Sequence, residues 1–398
     1  MSVDAEQKML EMMREKKIFL EKYKQAKKLF SDLVKSQKCL FNRDSREKKD
    51  DGASDKINIK ESIHAINDII EMLFETDRLI LNSMKDCFST DDYFFQHSFG
   101  VCYIGTIVLK RFNEIFSQYI NNMLIAKFKD SLKHHREEEM VPFFYYPPEA
   151  VRTISMGYLM HDMGKIMIPD SLLNKKSVLN RKELREIQKH AGGYGTLFLK
   201  INGIYDVYIE NIIKYHHAAI YFNEKKAYPV YQSPSDLPPY VKICKLADIY
   251  SAMTLKRSYG EAVNPTKVVN TIYQDYSGRN PILQLILYSF VKEIGTCPEG
   301  SILTLINGQS VYVINSQGPE VIIFTDEAGR TIEKADKIIN LSSPISKSQN
   351  LVIDSEQLPK TPVEMFNRLP EYLKEFHSES LNTQTQATIK HESNLTTY

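Results

Sequence analysis

Tryptophan is absent from the 398-residue chain, and cysteine is scarce: five residues, with no Cys-x-x-Cys pair. The missing tryptophan carries no functional message. The scattered thiols set an expectation of reduced cysteines and a cytoplasmic setting. Net charge is also lacking. Fifty-one Lys and Arg against fifty Asp and Glu leave +1, so bulk charge gives no reason to expect a nucleic-acid polymer as partner. No apolar run approaches the roughly 20 residues that span a bilayer. Residues 1–17 are dense with charge rather than patterned as a signal peptide, so neither a span nor a leader is expected. What remains is an ordinary globular composition, 42% hydrophobic, with room for two or three domains.

The chemistry gathers around His161-Asp162-Met163-Gly164-Lys165, which follows the apolar helical run 151–160. An imidazole and a carboxylate at the end of a buried helix are costly unless something satisfies them. A metal ion accepts both. One His-Asp pair is weak evidence, but similar points recur beside other apolar runs: His97, His190, the pair His216-His217, and Asp248. Five His and two Asp, each on or beside a core-facing segment, suit a binuclear site with a bridging carboxylate. The remaining His residues sit in unlike surroundings. The main rival, His134-His135, lies in a charge-rich stretch that reads as solvated. Adjacent helical residues point about 100° apart, so His216 and His217 can both ligate only if the helix frays there. One ligand with one supporting group is the other reading.

This order of residues resembles the HD-GYP family, a branch of the HD phosphohydrolases. His97, His161-Asp162-x-Gly164-Lys165, His190, His216-His217 and Ala247-Asp248 match in sequence, as do the flanks 166–175 and 248–259. The resemblance covers roughly Asp91 to Gly295. It implies a binuclear phosphodiesterase that hydrolyses cyclic di-GMP by attack of a hydroxide bridging two divalent metals, iron or manganese. Asp162 would bridge the metals; His97, His161 and Asp248 would hold one, and His190, His216 and His217 the other. Lys165 would neutralise charge growing on the phosphoryl oxygens, and Lys175 and Arg257 would meet substrate phosphates. Without the family, each of these three cations reads equally well as a solvated side chain.

The departures from the family are specific. Ala218 stands where the family has Glu after His-His, and 222–229 replaces the Asp-Gly-x-Gly-Tyr-Pro loop with about three extra residues. Ala227 takes a glycine position, where a positive φ would be strained. Ser251 replaces a usual Asp. Tyr93 stands where some members carry a Glu that supports a third metal, so two metals are expected. The altered loop opens a second reading, a catalytically impaired cyclic dinucleotide sensor or a module that docks a signalling protein. A third keeps an HD hydrolase and changes the nucleotide.

In chain order, residues 1–88 read as an N-terminal helical region. Met9, Met13, Phe19, Leu20, Tyr23, Leu29, Phe30, Leu33 and Val34 recur at three- and four-residue steps, a stripe that suits a core or a homodimer seam. Residues 37–56 read as a linker and 57–84 as a second helical stretch. Residues 89–295 carry the HD-GYP-like domain. Pro147-Pro148-Glu149 marks a helix start, and Asn180 with Glu183 resembles a capping box opening a helix that carries His190. Pro238–Thr254 should be a helix with Asp248, Cys244 and Ala252 on one face. Residues 296–341 read as a small antiparallel β appendage, with strands near 301–305, 310–314 and 320–324. Residues 342–398 read as a polar, largely flexible tail with a short helix near 363–376. The fold class is mainly α: an HD-type helical bundle with these additions.

Overall fold

The computed structural model describes residues 21, 23–38, 67, 70–71, 93–134, 144–255, 262–295, 297, 301–316, 319–332, 338–349, 351–354, 370 and 373. The central element is α1, Tyr93–His134, about 60 Å long at about 1.5 Å per residue. Its residues Val101, Cys102, Ile104, Val108, Leu109, Phe112 and Phe116 are buried. α2 (Pro148–Met160) starts with Pro148 in its first turn and Glu149 behind it, as expected. The segment before it is tied to α1 through Asn113, which donates to the Tyr146 carbonyl at 2.7 Å and accepts from the Tyr146 amide at 3.1 Å.

Short elements follow: α3 (Asp170–Leu173), α4 (Arg181–Gln188), α5 (Gly195–Ile201) and α6 (Val207–Tyr215). The expected capping box is present, with Asn180 and Glu183 each satisfying the other's backbone amide. The helix does not run on through His190, however. It ends at Gln188, and His190–Tyr194 forms a π-helical turn before α5. α7 (Pro239–Thr254), α8 (Pro265–Tyr276) and α9 (Pro281–Ile294) complete the bundle. α7 is buried nearly all round, and Tyr158 on α2 donates through its hydroxyl to the Tyr240 carbonyl at 2.9 Å.

The described part of the N-terminal stripe is core. Residues 23–38 are helical, and Tyr23, Ala26, Phe30 and Leu33 lie in the same hydrophobic cluster as α1. Tyr23 meets Phe95 and Phe99 at 5.2 and 5.1 Å, and Phe30 meets Phe94 and Phe95 at 5.7 and 5.2 Å. Polar ties reinforce this packing: Gln37 donates to Asn202, and Lys38 pairs with Asp170. Met9, Met13, Phe19, Leu20, nearly all of the second helical stretch and the tail helix lie outside the described residues.

The appendage is a four-stranded antiparallel meander of β1 (Ile302–Thr304), β2 (Ser310–Asn315), β3 (Glu320–Ile323) and β4 (Ile338–Asn340). Its own small core includes Leu303, Val311, Val313, Val321 and Leu351. Leu305 bridges Ile353, and α10 (Pro344–Ser348) lies between, so ordered structure runs past residue 341. Among the described residues, no helix is long and apolar enough to cross a membrane.

Candidate metal centre

The end of α2 delivers the first pair. His161 caps the helix, and Asp162 follows in a turn that leads into a 3-10 turn, Met163–Met167. That turn lies against the π turn of His190. A Cβ on Gly164 would sit 2.0 Å from the His190 carbonyl oxygen and 2.6 Å from the Gly195 amide nitrogen. Only glycine permits so close an approach of two backbones. The π turn, a feature often found at functional sites, thus places the His190 ring beside Asp162.

α6 ends at Tyr215. His216 caps it and His217 lies in the turn beyond, so the fray that lets both rings face one centre is present. α1 brings His97 and α7 brings Asp248. All seven sequence-selected groups converge. Asp162 Oδ1 lies 3.2 Å from His190 Nε2 and 3.8 Å from His216 Nε2. Asp162 Oδ2 lies 3.3 Å from His161 Nε2 and 3.5 Å from His97 Nε2. Asp248 Oδ1 lies 3.1 Å from His97 Nε2, while its Oδ2 lies 3.8 Å from His217 Nδ1. Two groupings have metal-ligand spacing: Asp162, His190, His216 and His217; and His97, His161 and Asp162.

The protons identify what these atoms can bind. A backbone carbonyl only accepts, so a ring nitrogen beside one carries the hydrogen. His161 Nδ1 donates to Tyr158, His190 Nδ1 to Ile187, and His216 Nδ1 to Ile212 and Ile213. In the neutral ring, as a metal ligand requires, each Nε2 is then the lone pair turned into the cluster. The Nε2 atoms of His190 and His216 are 3.4 Å apart. His161 Nε2 and Asp162 Oδ1 are sealed from solvent and make no hydrogen bond. Lone pairs gathered with no proton between them repel, and buried polar atoms without partners are costly. A cation resolves both, so the donor set fits divalent metal, with carbonyls orienting the rings behind the ligands.

The electrostatics agree. Burial alone would raise the Asp162 carboxyl; the Lys165 ammonium and the His161 and His190 rings outweigh it and hold it well below the usual carboxylate range. Burial, with the neighbouring rings, keeps His216 well below its ordinary value and His217 at about 3. Both are neutral at physiological pH, as ligands must be. His97 shifts the other way, because hydrogen bonds to Asp162 and Asp248 outweigh its burial.

The three candidate cations divide. Lys165 Nζ lies 2.5 Å from Asp162 Oδ2, within the cluster. Lys175 is engaged elsewhere, donating to both oxygens of Glu183 at 2.6 and 2.7 Å, the same Glu that completes the capping box. Arg257 lies outside the described residues, as does His135; His134 is the last residue of α1. Tyr93, where a third-metal Glu would stand, stacks on His97 at 5.6 Å with the rings 5° from parallel.

Residues that composition and order did not single out for these tasks complete the centre. Ser251 Oγ meets His97 Nδ1 at 3.1 Å; the three-residue step from Asp248 on one helix was the available signal. The replaced loop is anchored. Glu224 pairs with Lys245 at 2.6 Å, accepts the Tyr276 hydroxyl at 3.0 Å and takes the Ile220 amide at 2.7 Å. The Lys245 and Glu224 side chains are 8% and 7% exposed. Lys245 also donates to the carbonyl of Ala218, the position that lacks the family's Glu. The left-handed positions fall at Asn223 (φ 66°) and Lys226 (φ 65°) rather than at Ala227, so the strain expected there moves to its neighbours. Tyr228 donates its amide to the His217 carbonyl, and its ring lies 4.6 Å from that of His217.

Residues 94–253 match the HD domain family model. This segment is an HD domain. It holds every member of the cluster. Among characterised proteins, a cyclic di-GMP phosphodiesterase of Pseudomonas aeruginosa, PA4108, is 23% identical over 176 residues, 44% of this chain and 41% of its own. The cyclic di-GMP phosphodiesterase response regulator RpfG of Xanthomonas campestris is 33% identical over 115 residues, 29% of each chain. A 3'3'-cGAMP-specific phosphodiesterase of Vibrio cholerae is 33% identical over 101 residues, 25% of this chain and 19% of its own. The chain thus spans under half the length of each of these relatives. They agree with the HD-GYP resemblance read from the sequence.

Proposed function

We propose that the HD domain is a metal-dependent phosphodiesterase acting on cyclic di-GMP. The observation that carries this reading is the division of Asp162, whose two oxygens each face a separate pair of ring nitrogens. His97, His161 and Asp248 would hold one divalent cation and His190, His216 and His217 the other, with Asp162 shared. Iron or manganese suits this mixture of imidazole and carboxylate. When bound, such a pair supplies Lewis acidity and a water of lowered pKa.

The chain's own groups set the rest. The carbonyl-bound Nδ1 atoms fix the tautomers. The Lys165 ammonium, 2.5 Å from Asp162, places positive charge where phosphoryl oxygens would gather it. Lys175 would have to leave Glu183 to reach a phosphate, and Arg257 is a candidate for forked phosphate contact. The test is turnover by the full chain, purified without oxygen and loaded with iron or manganese, of a panel containing cyclic di-GMP, 3'3'-cGAMP and linear dinucleotides. Preferred cleavage of cyclic di-GMP, with two metals per chain, is expected. Cleavage confined to another nucleotide would move the substrate and keep the chemistry.

A second reading, binding without turnover, draws on Tyr228. Its ring lies against His217 and 6.4 Å from the His190 ring, which narrows the approach to the cluster. Tight binding of cyclic di-GMP with no product from the metal-loaded chain would select it.

A further inference from the structure

A cavity of about 730 Å³ opens between α1, α7, the turn joining α8 to α9, and the loop after His217. Phe116, Ile120, Tyr221 and Phe222 give it apolar and aromatic walls, and two cations reach it, Lys242 and Arg279. Lys242 is 5% exposed, and among the described residues it has no hydrogen-bond or ion-pair partner. Three residues along the same helix, the comparably buried Lys245 has Glu224. An ammonium carried on so buried a stem, with no counter-charge, is expensive, and burial lowers the Lys242 pKa. Arg279 stands at the rim with its guanidinium 4.5 Å over the Tyr221 ring, donating through Nε to the Asp275 carbonyl.

This place is distinct from the metal cluster. His97 and Phe116 are about 28 Å apart along α1, at about 1.5 Å per residue. Cavities of this size, mainly apolar with a few convergent polar groups, are the usual form of small-molecule sites. A cation at the base and a stacked guanidinium at the rim add a requirement for negative charge and a π face.

We propose that this cavity is a second ligand site, taking a small planar aromatic molecule that bears an anionic group, with the anion on Lys242 and the ring against Tyr221 and Phe222. Nucleoside phosphates and non-nucleotide aromatic anions share that chemistry. The site touches the catalytic region by connectivity: Tyr221 and Phe222 lie on the loop that carries Tyr228, and Lys242 lies on the helix that carries Asp248.

The test uses the full chain stripped of metal, so that the cluster cannot capture phosphate and the result does not depend on turnover. Guanosine 5'-monophosphate and 8-anilinonaphthalene-1-sulfonate are each titrated by calorimetry, with uncharged guanosine as control. The expected result is one site per chain for at least one anion, with no comparable binding of guanosine. Lys242→Met, which keeps the volume and removes the charge, should weaken it tenfold or more, and the exposed Arg279→Gln should weaken it several-fold. Binding of the monophosphate identifies a nucleotide site; binding of the sulfonate alone identifies a non-nucleotide one. Equal binding by wild type and both variants, or no binding of either anion, overturns the proposal. Because Arg279 is exposed, its variant keeps the test decisive should Lys242→Met fail to fold.

Discussion

Ser251 Oγ holds His97 Nδ1 at 3.1 Å, from the helix that also presents Asp248. A hydroxyl here does what backbone carbonyls do for His161, His190 and His216: it fixes the ring with Nε2 toward the acids. Ser251→Ala should lower metal affinity or turnover by about 10–100-fold, the usual effect of removing a ligand's supporting partner. Ser251→Asp, the residue usual in the family, should restore it. Metal titration of both variants checks this; an unchanged affinity in the Ala variant would show that His97 needs no such support.

Asp162→Ala removes the carboxylate shared by both groupings. Metal per chain, measured by elemental analysis, should fall from two to none, with complete loss of turnover. His97→Ala should cost one metal more than the other. A metal-loaded, active Asp162→Ala protein would refute the bridging role.

Gly164→Ala puts a methyl group 2.0 Å from the His190 carbonyl. The backbones must separate, at about 1–3 kcal/mol or more for an overpacked contact. For a domain of this size, each kcal/mol lowers Tm by roughly 2–4 °C. Thermal unfolding should show that drop, with weaker metal binding because His190 moves off Asp162. A variant with wild-type Tm and metal content would mean that the two turns are not in such close contact.

Removing one partner of the Lys245–Glu224 pair leaves the other charge buried. Glu224→Ala should cost about 3–5 kcal/mol, the range for breaking a buried ion pair from one side. Lys245→Met combined with Glu224→Leu should recover much of that loss. A double-mutant cycle in denaturant reads both outcomes. Additive losses would show that the two side chains do not act as a unit.

Much of this site was legible because its ligands sit beside apolar runs whose periodicity is local. The His161-Asp162 pair and the buried face of Asp248 followed from spacing, whereas spacing left open whether α6 frays to turn both His216 and His217 inward, and only the family resemblance implied that it does. The π turn at His190 did not follow from spacing, because it depends on Gly164 approaching the His190 carbonyl from another element. The anchoring of the loop was equally hidden: Glu224 and Lys245 are distant in sequence, and neither lies in a motif. Lys175 reads as a phosphate contact only by alignment, and its chelate with Glu183 could be seen only in three dimensions. β4 was missed because three residues are too few to show alternation.

The aromatic interlock of Tyr23 and Phe30 with Phe95 and Phe99 bears on where the protein can be cut. Phe95 and Phe99 flank His97 on α1 and are covered by the helix at 23–38. An excised fragment beginning at residue 89 would bare two phenyl rings within a turn of His97, each worth about 1.5–3 kcal/mol of burial. The upstream helix is therefore part of the HD segment's own wall, and expression boundaries drawn from the HD match alone would leave that wall behind.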